Sequence, residues 1–182
     1  MASSITERMI GAARLDPKTF EEVEADTTAT PQAMTVVVLA SLAAGIGALN
    51  QGVLAIVLTV IASLVGWFIW AGVTYLVGTK ILPEPQTKTD MGQLLRTIGF
   101  AASPGLLRVV GIIPVIGVFL NFVISIWMLI AFVIAVRQAL DYTSTGRAVG
   151  VCVIGWLIYI VVMIAVGTVF GLAAGVGSAL TS

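Results

Sequence analysis

The sequence predicts an all-α membrane protein, a five-helix transmembrane bundle with a short cytoplasmic N-terminal helical segment. Two observations predict it. Of 182 residues, 59% are hydrophobic and 10% charged, whereas soluble domains carry roughly 25% charged residues. The charges are also unevenly placed: residues 27–79 and 148–182 carry none, and each stretch exceeds the roughly 20 apolar residues of one crossing.

Residues 1–31 read as a cytoplasmic segment, and 32–178 as the membrane domain. In the first, Asp16 is an N-cap and Pro17 a first helical residue, for a helix running through Phe20 and Glu24. Before it, Ile5, Met9, Ala12 and Leu15 fall at helical spacing. That helix either lies along the headgroups or is solvated. The uncharged stretch after Asp26 is interrupted by Asn50-Gln51-Gly52, which divides it into spans at about 32–49 and 53–79. Lys80 closes the second. Asp90 with Gln93 has capping-box spacing and opens a third span at about 91–111, with a kink expected at Pro104-Gly105. A short turn at 111–115 leads into a fourth at about 116–137, ended by Arg137, and the polar run 141–146 into a fifth at about 148–178.

Basic residues set the orientation, because cytoplasmic segments retain Lys and Arg. With the N-terminus inside, Arg8, Arg14, Lys18, Lys80, Lys88, Arg96, Arg137 and Arg147 are all cytoplasmic or beside it, and Arg108 alone lies towards the other face. The expectation is N-in and C-out.

Several function classes are excluded by composition. The chain contains no histidine, and the proposed spans contain no Asp or Glu, which removes histidine-ligated haem, histidine-dependent serine catalysis and carboxylate proton relays. No catalytic, cofactor-binding or metal residues are assigned, and no cofactor is expected. A net charge of zero leaves no nucleic-acid footprint. Cys152 is the sole cysteine and cannot form an intramolecular disulfide.

The candidate polar or lipid-contacting residues are Arg96, Pro104, Arg108 and Asn121. Arg108 carries a full charge into an apolar helix, where it either snorkels to the outer headgroups or turns inwards to meet Asn121 or an anionic lipid group. Two small-residue stripes, Ala40, Ala44, Ala48 and Gly167, Gly171, Gly175, each at four-residue spacing, allow close helix packing within the chain or between copies. Trp67, Trp70 and Trp127 read as packing or lipid-facing groups, and Tyr75, Trp156 and Tyr159 as interfacial ones.

Asp16-Pro17 with Phe20, the segment Arg96-Thr97-Ile98-Gly99-Phe100-Ala101-Ala102-Ser103-Pro104, the turn Ile113-Pro114-Val115-Ile116-Gly117 and the pair Ile126-Trp127 together resemble the Yip1-domain membrane proteins in their short bacterial and archaeal form. The resemblance implies five spans after a cytoplasmic segment, and a prokaryotic cell membrane. For the eukaryotic relatives it implies vesicle traffic and membrane shaping, with small prenylated GTPases as partners; their Asp-Leu-Tyr-Gly-Pro type of motif is not visible here. The expected function is non-enzymatic: organising membrane or scaffolding a membrane complex, with the bilayer and a membrane-protein partner or a second copy as contacts. The alternative is a carrier or permease component handling a small or anionic solute or lipid.

Overall fold

The computed structural model describes residues 3–47, 53–113 and 116–180. Among them there is no strand, and the chain forms seven α-helices joined by short irregular pieces. The first two, α1 (Ile5–Ala13) and α2 (Pro17–Ala25), form an antiparallel hairpin. Ser4 caps α1 through a reciprocal pair of bonds with Glu7, and Asp16 caps α2 ahead of Pro17. The turn between them uses Leu15 at φ 63°, with the Asp16 amide donating back to the Gly11 carbonyl at 3.1 Å. This left-handed closure is the usual end of a helix, here without the glycine that normally makes it easy.

Five helical segments are long and apolar enough to cross a bilayer. The first, Thr27–Ile46, covers most of α3 (Thr30–Gly47), and the second, Ile56–Ile81, most of α4 (Val53–Leu76), which continues as a π-helical turn over Val77–Ile81. The turn expected at Asn50-Gln51-Gly52 lies outside the described residues. The third was expected as one kinked helix over 91–111. It is instead two helices of different pitch: α5 (Met91–Ala101), capped reciprocally by Asp90 and Gln93, and a 3₁₀-helix over Ser103–Ile112. Pro104 at the junction has no amide hydrogen to continue the α ladder, so the chain winds more tightly beyond it. Then come α6 (Ile116–Ala139) and α7 (Thr145–Leu180), whose apolar crossing window is Thr145–Val162.

The third span is the central one. In its 22-residue segment 61% of the crossing window is buried, against 17% for the second and fourth spans, whose outward faces carry Leu54, Leu58, Val65, Val118, Phe119 and Phe122 in exposed positions. In a membrane protein such exposure is the lipid-facing surface. The third span is closed in by α3, whose Ala33 sits where a Cβ on Gly99 would come within 2.7 Å, and by Ala40 against Gly105. Ala40 of the first small-residue stripe thus packs within the chain. Ala48 lies outside the described residues, as do the side-chain surroundings of Gly167, Gly171 and Gly175. Trp67 of α4 reaches the third span through a 3.0 Å bond from its Nε1 to the Leu95 carbonyl.

At the end of the bundle that carries α1 and α2, Glu84 joins the two loops. Its carboxylate accepts from the Thr143 amide at 3.0 Å, the Thr143 hydroxyl at 2.8 Å and the Ser144 amide at 3.3 Å. These bonds, that to the Thr143 backbone first, pull its pKa down to about 2. Beside it, the Tyr142 hydroxyl lies against the Gly78 and Leu82 carbonyls at 2.9 and 2.7 Å, groups that the π turn leaves available.

Candidate functional site

Two polar features stand out in an otherwise apolar molecule: the seat of the α1–α2 hairpin and an arginine on the wall of an intramembrane cavity. The hairpin is held by buried Arg8, 2% exposed. Its guanidinium donates to Glu22 at 3.0 Å, to Asp26 at 2.7 Å and to Gln32 at 3.0 Å, tying α1 to α2 and to the start of α3. Hydrogen bonds from Thr28 and Arg8 lower the Asp26 pKa to about 2. From the bundle side, Arg96 of α5 donates to the Val23 carbonyl at 2.9 Å and to the Glu24 carbonyl. A cation there satisfies the open carbonyls and negative dipole end of α2. Gln138 near the end of α6 donates to Glu21 at 2.9 Å.

The far end of the hairpin is fixed by Trp127, whose Nε1 donates to the Ala13 carbonyl at 2.8 Å. Trp127 is the midpoint of α6, so the hairpin turn reaches about 18 Å along α6 from its Ala139 end. Phe20, Val23 and Ala12 are fully buried beneath it. The exposed charged side chains of that turn are Arg14, Asp16 and Lys18. Buried Phe20, Val23 and Ala12 join α1 and α2 to one half of the bundle.

The second feature is a cavity of about 1130 Å³ between α3, α4, the third span, α6 and α7. Its wall is apolar apart from a few groups, including Ser41, Ser63, Trp70, Tyr159 and Arg108. The 3₁₀ geometry matters here. With three residues per turn, Ala102, Gly105 and Arg108 stack on one ridge, and all three line the cavity. Arg108 lines the cavity and reaches across to exposed Ser125 on α6. Its Nη2 lies 3.2 Å from the Ser125 hydroxyl, which donates to the Asn121 carbonyl at 2.8 Å. The expected direct meeting with Asn121 is therefore replaced by a serine one turn further along α6, and Asn121 contributes its backbone. Two buried N–H groups on this wall, Arg108 Nε and Trp70 Nε1, have no hydrogen-bond partner among the described residues.

The four residues grouped by chemistry alone thus separate. Arg96 serves the hairpin, Pro104 is buried at the helix junction near α1, Arg108 faces the cavity, and Asn121 supports Arg108 through Ser125. Sequence reasoning missed Arg8. The signal was present, since Arg8 lies three residues after Ile5 and four before Ala12, on the apolar stripe of α1, with Glu22 on the next helix and Asp26 four residues later at its C-cap. Among the described residues no cluster of His, Cys, Asp or Glu is arranged to hold a metal ion.

In comparison with known proteins, the Yip1 domain model matches residues 15–176. No curated protein and no solved structure matches the chain. The match runs from the hairpin turn through all five crossing segments and most of α7, and the chain belongs to the Yip1 domain family of integral membrane proteins.

Proposed function

We propose that the protein is a non-enzymatic organiser of the bilayer, in which the α1–α2 hairpin acts as a wedge on the cytoplasmic side. The observation that carries this reading is the bond between Trp127 and Ala13, halfway along α6. At that depth α1 and α2 add two helices to the cross-section of one half of the bundle. They also bring Arg14, Asp16 and Lys18 to a level where the opposite side of the molecule is uncharged, with Leu76 exposed nearer the end and the first charge of that side, Lys80, beyond it. Charged groups at such a depth draw headgroups and water down to them, and the leaflet thins locally. Crossing segments without Asp, Glu or His fit a role that needs no acid–base chemistry. The cytoplasmic assignment rests on eight of the nine basic residues lying at the hairpin end.

Reconstitution into vesicles tests this reading. The wild-type chain is expected to shift the population towards smaller, more curved vesicles in electron cryomicroscopy, and the double variant Arg14→Leu, Lys18→Leu to leave it at the size of protein-free controls. Equal size distributions for the two proteins contradict it. The carrier alternative is favoured by one observation, the mainly apolar cavity whose wall carries Arg108.

A further inference from the structure

Arg108 is a cation without an anion. Between Asp26 and Glu84, between Asp90 and Asp141, and after Asp141 the sequence has no carboxylate, so no crossing segment supplies a counter-charge. Its described partner is a neutral hydroxyl, Ser125, nine residues into α6 and about 14 Å from the start of that helix. The arginine is thus turned away from the nearer headgroups, where snorkelling would take it. A charge in that position is costly unless paired.

The surroundings state what the pairing group must be. The cavity beside Arg108 is slightly larger than the roughly 300–1,000 Å³ of typical ligand pockets and mainly apolar. Both unpartnered buried groups on its wall, Arg108 Nε and Trp70 Nε1, are donors, so the wall asks for acceptor oxygens and offers a single positive charge. Leu129, Val153 and Trp156, all on the lining, are also exposed, which opens the cavity sideways to lipid. We infer that the cavity binds a long-chain carboxylate, with its acyl chain along the apolar wall and its carboxylate on the Arg108 guanidinium. A planar carboxylate matches the guanidinium fork, and one small headgroup suits a wall with so few other polar atoms better than a phosphate bearing a polar alcohol. This inference is independent of the wedge reading, because it uses neither α1 nor α2.

The test uses the tryptophans of the cavity, Trp67, Trp70 and Trp156, in the full chain reconstituted in phosphatidylcholine nanodiscs. Dibrominated stearic acid is expected to quench their fluorescence saturably, unlabelled stearate to reverse the quenching, and stearyl alcohol and the brominated methyl ester to produce neither effect. Arg108→Gln is expected to weaken binding about tenfold or more while the ligand-free protein melts no lower than wild type, since a charge lacking its partner has been removed. Quenching by the ester equal to that by the acid overturns the inference, as does unchanged affinity in Arg108→Gln. Saturable quenching by a brominated phosphatidylglycerol but not by the fatty acid overturns the choice of ligand. If Arg108→Gln fails to fold, the wild-type comparison of acid, alcohol and ester decides alone.

Discussion

Glu24 is the residue whose charge the fold resists most outside the membrane. Burial first, then the neighbouring Asp141, raises its pKa from 4.5 to about 7, with Glu21 and Asp90 adding to the rise and Arg96 opposing it. A carboxyl that holds its proton more tightly folded than unfolded contributes most below the unfolded pKa, and that contribution is lost as pH rises through about 7. Asp26 and Glu84 act in the opposite sense: with folded pKa values of about 2, their contributions are present above the ordinary carboxylate range and lost as pH falls towards 2. Thermal unfolding in nanodiscs is expected to show highest stability near pH 4–5, and Glu24→Gln to flatten the alkaline limb while leaving the acid limb in place. A second test combines strain and charge. Asp141 sits at φ 52°, a conformation costing a non-glycine residue about 1–2 kcal/mol. Asp141→Gly is expected to raise stability by about 1 kcal/mol and to move the Glu24 limb to lower pH; a lowered melting temperature contradicts this.

Elements with a local signal were legible in the sequence. Asp16-Pro17 marked the start of α2 and Asp90 with Gln93 the start of α5, because caps depend on residues within one turn. The break at Pro104 was also legible, but its form was not. Whether a helix kinks or tightens into 3₁₀ depends on the neighbours that accept it, here α3 and α6 packed against Gly105 through Ala40 and Met128. The docking of α1 and α2 had the weakest signal, since Arg8 on an apolar stripe gains its meaning from Glu22, Asp26 and Gln32 brought together by folding. The partner of Arg108 depended likewise on the relative rotation of two helices, which no spacing within either one determines. In the central span α5 lies close on α3, where a Cβ at Gly99 would come within 2.7 Å of Ala33 Cβ and 3.2 Å of its carbonyl oxygen. Gly99→Val is expected to part these helices and destabilise the protein by about 1–3 kcal/mol, measured as a lowered melting temperature. An unchanged value contradicts the packing described for the central span.

The whole molecule is asymmetric across the bundle. On one side α1 and α2 are seated in the bundle with a charged turn level with Trp127, and on the other α4 is uncharged as far as Leu76, with exposed Lys80 following beside the Tyr142 and Glu84 anchors. Under the proposed function, headgroups beside α1 and α2 are drawn towards the level of Trp127, about 18 Å along α6 from its Ala139 end, and a flat bilayer of uniform thickness does not fit both sides. The proposed organising role is this mismatch expressed in the lipid, and it does not depend on what occupies the cavity. The most direct measurement is electron cryomicroscopy of the protein in a lipid nanodisc wide enough to show both headgroup layers around it. The account predicts a headgroup layer that dips towards the level of Trp127 beside α1 and α2 and stays at the level of Tyr142 beside α4 and α7. Two parallel layers of constant separation around the whole protein would contradict it.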